Sequence, residues 1–376
     1  MSSLKNDILN MFAETPHIKG FSRSTIYDLP RKEYYLIPNS LYDIISKYNK
    51  KPIENIYIEN SKYNGVINEY FQFLKEKETF FLSTKEESKL FPKINLQWDF
   101  PAKISNSIIE IDEENQNELQ KTVNQLINIG CYYFQIFSKS IYSLGFWETF
   151  LESIKFSPIK LIDIFTAYYT GIDFVQLKKL INKHKRLKLF FIFNSKEDGF
   201  AEKNEDGYGN IYHSKQSIEL TKNCGLINHN YFNVNIQLFT ESQHYNTCLN
   251  RKICIDKNGE IKNCPAMSRS FGNIKDTTLE EAINKPGFKD LWGIRKDDID
   301  VCKDCEFRYM CTDCRAFIKD PNNIYSQPAK CPYNPYIAKW EGEDGYITVE
   351  QWRAENPNWE KKAKRHPLVK KPQPVE

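Results

Sequence analysis

From about Asn95 to Thr240 short apolar runs alternate with amphipathic stretches. SNSIIEI (105–111), CYYFQIF (131–137), IKLIDIF (159–165), LKLFFIF (187–193) and YFNVNIQLF (231–239) have the length and the branched or aromatic content of buried strands. Between the first four lie ENQNELQKTVNQLIN (114–128), SLGFWETFLESIK (143–155) and DFVQLKKLINKH (173–184). Their apolar positions recur at helical spacing; Leu119, Val123, Leu126 and Ile127 make one stripe. Strand–helix alternation predicts a parallel sheet with right-handed crossovers. The array is too short for an eight-fold barrel, so an open or partial barrel is expected. Residues 195–230 are polar and predict a long flexible loop.

Residues 23–83 follow another rhythm. RSTIYDL and KEYYLIP alternate as two strands around Leu29-Pro30-Arg31, and Pro38 opens a helix, NSLYDIISKY, with Leu41, Ile44 and Ile45 on one face. A second helix is expected at GVINEYFQFLKEKE and a strand at TFFLS, which together predict a small winged-helix-like unit. Beyond Ser242 periodicity fades. TTLEEAINKPGFKDLW carries a capping box, Thr277 with Glu280, and Lys285-Pro286-Gly287 ends that helix. NPNWEKKAKRHPLVKKPQPVE, rich in Pro and Lys, predicts a loose tail. The expected organisation is an α/β chain in four segments: 1–94, 95–241, 242–345 and a basic tail, 346–376.

Charge and composition narrow the classes. The net charge is +3, and from Tyr346 onward seven Lys/Arg stand against four Asp/Glu, so the tail carries the whole excess. A near-neutral body has no nucleic-acid footprint. No stretch approaches the roughly 20 apolar residues of a membrane helix, and the first residues lack the apolar core of a signal peptide. The expected compartment is therefore the cytoplasm, where closely spaced thiols point to metal rather than disulfides.

Ten cysteines are present, and eight lie between positions 248 and 331. They run Cys248-x5-Cys254-x4-Gly259-x4-Cys264, then Cys302-x2-Cys305-x5-Cys311-x2-Cys314, then Cys331. Eight thiolates make two four-ligand sites. A two-residue gap lets Cys302 and Cys305 reach one centre from a single turn, and Asp256-Lys257-Asn258-Gly259 folds Cys264 back toward Cys254 as a hairpin. Four thiolates hold zinc or an iron–sulfur cluster, and spacing alone leaves both open. Phe271, Trp292, Phe307, Tyr309 and Phe317 would suit the apolar walls of a cluster, and equally a small core.

This cysteine order resembles the SPASM domain, the C-terminal auxiliary-cluster domain of radical S-adenosylmethionine peptide-modifying enzymes. It departs in having two rather than three residues between Cys311 and Cys314. The resemblance implies two [4Fe-4S] clusters with crossed ligation: Cys248, Cys254, Cys264 and Cys314 for cluster I, and Cys302, Cys305, Cys311 and Cys331 for cluster II. It implies as well a degenerate, partial radical-SAM-like (β/α) barrel upstream.

What such enzymes need for S-adenosylmethionine is missing. A CxxxCxxC motif leaves one iron open for the cofactor, but before Cys248 only Cys131 and Cys224 occur, far apart, and CYYFQIFSKS has no glycine for the cofactor's methionine end. No S-adenosylmethionine cleavage is expected. With that absence, RSTIYDLPRKEYYLIP, CEFRYMCTDCRAF and CPYNPYIAKWEGEDGY together resemble the SPASM-domain peptide maturase of grasp-with-spasm systems. That resemblance implies a non-catalytic accessory protein of peptide maturation, with a ribosomal precursor peptide and an ATP-grasp ligase as partners and no nucleic acid or membrane. There is no P-loop, GxGxxG or HExxH, so ATP chemistry falls to the partner.

Two other readings stay in play: a redox-active protein whose clusters relay electrons or bind peptide, and a zinc-stabilised scaffold. With no radical cluster to feed, the thiol sites read as structural staples. The N-terminal unit reads as a recognition element that adds a peptide strand beside RSTIYDL or KEYYLIP. Cys131 reads as an apolar side chain and Cys224 as an incidental thiol. His244, four residues before Cys248, reads as a bystander, and the charges among the cysteines (Lys303, Arg308 and Arg315 with Asp304, Glu306 and Asp313) as a solvated face.

Overall fold

The structure, a computed structural model, describes residues 7–203 and 209–359. Its N-terminal part runs β1 (Ile8–Met11), β2 (His17–Lys19), β3 (Ser24–Asp28), β4 (Glu33–Ile37), α1 (Asn39–Tyr48), α2 (Glu54–Glu59), α3 (Asn64–Glu76), β5 (Phe80–Ser83) and α4 (Lys85–Ser88). β2, β3 and β4 form an antiparallel sheet in that order, and β1 pairs with β5. Helix α1 starts after the extended Pro38 and buries Leu41 and Ile45 against Ile26, Ile37 and Leu74. The expected strands and helices are present; β1, β2 and α2 are too short to carry a readable period.

The central part runs β6 (Asn106–Ile111), α5 (Leu119–Asn128), β7 (Tyr133–Ser138), α6 (Leu144–Ser153), β8 (Leu161–Ala167), α7 (Phe174–Lys183), β9 (Leu187–Phe193), β10 (Gly199–Glu202), β11 (Asn210–His213), α8 (Leu220–Asn223) and α9 (Ile236–Ser242). β12 (Lys252–Ile255) and β13 (Ile261–Lys262) follow. One eight-stranded sheet has the order β10-β11-β9-β8-β7-β6-β12-β13, parallel from β11 to β12 and antiparallel at each edge. Val123, Leu126, Trp147, Leu151, Leu177 and Ile181 of the helices bury one face of it against Phe134, Ile136, Ile162, Ile164 and Phe190. Because β12 pairs with β6, the hairpin that carries Cys254 belongs to this sheet.

Three expectations fail here. The stretch 195–230 is not one long loop: Ile211, fully buried, pairs β11 to β9 opposite Phe190, and β10 pairs on beyond it. β11 alternates over only four residues and β10 not at all, too little to stand out from the polar surroundings. YFNVNIQLF is not a strand. The Asn235 side chain accepts from Leu238 N at 2.8 Å and caps α9, while Tyr231 and Ile236 stay exposed. The capping box is Thr278 with Glu281, one residue later than read, since both Thr277-Glu280 and Thr278-Glu281 satisfy the spacing; it opens a six-residue helix, α10 (Leu279–Asn284).

The rest is β14 (Tyr333–Asn334), β15 (Lys339–Trp340) and α11 (Val349–Glu355) with short 3-10 turns between. α11 precedes the stretch expected to be loose, 356–376, and is anchored by Trp352 stacked on Tyr336 at 4.4 Å and Arg353 paired with Asp300 at 2.7 Å. At the start of that stretch Trp359 packs on Tyr336 at 5.0 Å, which corrects the expectation there. Residues 360–376 of the expected basic tail lie outside the described residues. Among the described residues no helix is long and apolar enough to cross a membrane.

The N-terminal sheet is seated on the cysteine-rich region. Arg23 Nε donates to Glu306 Oε1 at 2.6 Å, as does Tyr333 Oη at 2.6 Å, and Tyr27 Oη donates to the Glu306 carbonyl at 2.8 Å. Arg308 reaches back to the Lys19 carbonyl at 2.7 Å. Glu306 is fully buried, so removing its cation leaves an uncompensated charge. Arg23→Ala is expected to cost about 3 kcal/mol, the low end for such losses because Tyr333 still donates. A lowered midpoint in urea unfolding, partly recovered in Arg23→Lys, is the measurement.

Candidate functional site

All ten cysteines are free and fall into two groups plus Cys131. Cys302 and Cys305 flank a 3-10 turn entered from Val301, a non-glycine residue at φ 66°, and Cys305 N closes that turn on Cys302 O at 3.0 Å. Cys311 ends the next turn, its N–H donating to Phe307 O at 3.1 Å. Cys302, Cys305, Cys311 and Cys331 line one partly open pocket, walled by Phe307, Tyr333 and Trp340. The crossed set expected for cluster II is thus gathered around a single space.

Lys296, 3% exposed, projects into the same pocket. Its Nζ lies 3.7 Å from Cys311 Sγ, 3.9 Å from Cys302 Sγ and 3.6 Å from the Asp313 carboxylate. Burial opposes its charge, but Cys302, Cys311 and Asp313 outweigh burial and raise its pKa. Burial pushes the Cys302 and Cys311 thiols up to about 11, with Lys296 pulling the other way. Metal must therefore displace protons here, and the ammonium offsets the negative charge that four thiolates and a cluster bring.

The other group is assembled from both sides of the hairpin. Asn246, fully buried, accepts with Oδ1 from Cys248 N at 3.0 Å and Leu249 N at 2.9 Å, while its Nδ2 donates to Asp313 at 2.5 Å. Gly259 at φ +81° turns the chain, and β12 pairs Cys254 with Lys262 two residues before Cys264. Lys252 Nζ lies 3.8 Å from Cys248 Sγ and faces the thiols of Cys264, Cys224 and Cys254. Cys248, Cys264 and Cys314 face one another and Cys224. The charges that act most strongly on Cys254 are instead those of Glu110, Cys264, Asp256 and Lys262. The Cys224 thiol, aided by the Phe317 and Ala316 amides, draws the Cys314 thiol down against burial.

Asp313 joins the two groups. It lies between Cys311 and Cys314 in sequence, 1% exposed, and takes hydrogen bonds from Asn246 and from Arg315 Nη2 at 2.8 Å. Arg308, Arg315, Glu306 and Asp313 are all buried, which corrects the solvated face read from sequence; each is paired, as buried charges must be. Among the aromatic candidates Phe307 lines the pocket, while Phe271 and Trp292 belong to the sheet core. Cys131 is a core side chain whose thiol burial pushes up to about 12, and exposed His244 bonds the Leu96 carbonyl. Sequence reasoning missed Lys252, Lys296 and Cys224 as parts of the site, since none sits at a recognised ligand spacing. Among the described residues no three His, Cys, Asp or Glu side chains are arranged to hold a single metal ion.

Glu241 on α9 braces this group: it accepts from Asn250 Nδ2 at 2.8 Å, and Asn250 N donates to the Asn246 carbonyl at 2.9 Å. Burial pushes Glu241 from 4.5 up to about 7, so the folded chain keeps a proton that the unfolded chain gives up. Stability must then fall as pH rises across that window. In denaturant titrations Glu241→Gln is expected to match the parent near pH 4.5 and exceed it by about 2 kcal/mol above pH 7.

Residues 247–306 match the family model of SPASM, an iron–sulfur cluster-binding domain. No curated protein and no solved structure matches the chain. The matched stretch contains Cys248, Cys254, Cys264, Cys302 and Cys305; Cys224 precedes it, and Cys311, Cys314 and Cys331 follow. The chain therefore carries an iron–sulfur cluster-binding domain, and its buried thiols, each group with a lysine beside it, fit that cargo.

Proposed function

We propose that this protein is a maturation factor for a ribosomally made, post-translationally modified peptide, which it binds and presents to an ATP-grasp ligase. The observation that carries this reading is the seating of an open-edged antiparallel sheet on the thiol-rich region through Arg23 and Glu306. In the order β2-β3-β4, β3 is paired on both sides, so a peptide cannot add beside RSTIYDL. β4, the KEYYLIP strand, keeps an unpaired edge among the described residues, with Leu36 exposed and Tyr35 against Phe73 of α3. Main-chain hydrogen bonds along β4 would give affinity, and those side chains would give choice.

Two [4Fe-4S] clusters are part of the proposal. Cys302, Cys305, Cys311 and Cys331 would hold one; Cys248, Cys264, Cys314 and a fourth thiolate would hold the other. Clusters in such a domain cross-link distant parts of the chain and supply redox capacity. This chain's residues would bind the peptide and fix its path, while bond formation belongs to the ligase. A redox reading is favoured by one observation, the lysine beside each thiol group, because an ammonium stabilises a reduced, more negative cluster. A zinc-held scaffold is the third reading, and metal content separates it.

The test starts from the coding sequences beside this one. A short peptide and an ATP-grasp ligase are expected there. The labelled peptide should bind the full chain in fluorescence anisotropy, and Leu36→Asp should weaken it about tenfold without changing the fold. Absence of binding, or binding indifferent to Leu36→Asp and to other substitutions along β4, would count against the proposal.

A further inference from the structure

We propose that Cys224 is a ligand of the first cluster, in the position that the sequence pattern gives to Cys254. The inference rests on the reading of this region as an iron–sulfur site and concerns which thiols hold it. Five thiols gather where four are needed: Cys224, Cys248, Cys254, Cys264 and Cys314.

Three observations place Cys224 in the working set. Its thiol interacts most strongly with Cys314 and also with Cys248 and Cys264. Next, Gly225 at φ +79° lies against Cys314, so that a Cβ there would stand 2.8 Å from Cys314 Sγ. The backbone is thus brought as close to that sulfur as a residue without a side chain allows. Third, Lys330 clamps the segment: its Nζ donates to the carbonyls of Lys222 at 2.6 Å and Cys224 at 2.8 Å while lying over the Phe317 ring at 4.0 Å. Lys330 directly precedes Cys331, and Phe317 follows Cys314 by three residues, so both clamps come from the thiol region itself.

Cys254 is placed differently. Along β12 its neighbours Ile253 and Ile255 enter the sheet core, which turns Cys254 to the opposite face, beside Glu110 of β6 and Asp256. Cys264 is the one other thiol among the groups that act most strongly on it. Glu110 and Asp256 are poor company for a thiolate on an anionic cluster; Lys252 serves all the thiols here, but its Nζ lies against Cys248, at 3.8 Å. Ligation forms a sulfur–iron bond and releases the thiol proton, with no change of oxidation state. The stretch before α9 then has a task, which is to deliver Cys224 across to Cys314.

The test uses the anaerobically purified full chain, with iron, acid-labile sulfide and the EPR spectrum of the dithionite-reduced protein as readouts. Cys224→Ala is expected to lose about half the iron and one of two overlapping signals, while Cys254→Ala and the control Cys131→Ala keep parent content. Gly225→Ala keeps every thiol yet crowds Cys314, and is expected to alter the same signal. Parent-like iron and spectra in both Cys224→Ala and Gly225→Ala overturn the inference. So does loss of that iron in Cys254→Ala, with or without loss in Cys224→Ala. An iron-free parent chain would overturn the cluster reading itself, a distinguishable result.

Discussion

Stripping iron from the purified protein with a chelator and reductant is expected to unfold residues 285–345 while the parallel sheet stays folded. Between α10 and α11 the described regular structure is a pair of two-residue strands and two 3-10 turns. The apolar clusters mostly confined to it are small, Ile294 with Ile299 and Cys302, and Val301 with Tyr336 and Val349, while Phe307, Met310 and Tyr333 pack against Ile18, Tyr27 and Phe239 from outside it. Against them stand buried Lys296, Glu306, Arg308, Asp313 and Arg315. Structural metal sites contribute about 10–16 kcal/mol to small domains, comparable with the whole stability of a typical domain at about 5–15 kcal/mol. Removing the metal leaves Lys296 beside thiols that reprotonate, with no cluster charge left to offset its ammonium. Hydrogen exchange should show protection lost over 285–345 and kept over 106–193. Equal protection with and without metal would contradict a structural role.

The double substitution Cys302→Ala with Cys305→Ala should remove one cluster and about half the iron. Glu306 follows Cys305 directly and holds Arg23, so the seat of the N-terminal sheet is expected to loosen as well. If the protein is an adaptor, peptide modification by the ligase falls in step with binding of peptide and ligase. Intact binding with no modification would sink that reading and favour electron transfer.

Most of the fold was legible where segments were long and periodic. β6 to β9 with α5 to α7 follow the alternation read from the sequence because each strand buries a full face and each helix a full stripe. β10, β11 and α9 were not, because strands of four residues inside a polar stretch carry almost no signal, and the strand-like YFNVNIQLF is broken by one cap, Asn235. The thiols announced themselves by spacing. Their counter-charges did not: Lys252 and Lys296 look like any surface lysine until β12 and the turn before Cys302 carry them inward. The charges around Cys311 misled for the same reason, since burial depends on partners distant in sequence, as Glu306 and Arg23 show. The free edge of β4 follows from strand order, which periodicity cannot give.

Metal analysis of the full chain, purified without oxygen, tests the central claim most directly. About eight iron and eight acid-labile sulfide per chain, in a brown protein that bleaches as it unfolds, is the result expected of two four-iron clusters. A folded, colourless chain that binds zinc or no metal at all would contradict it.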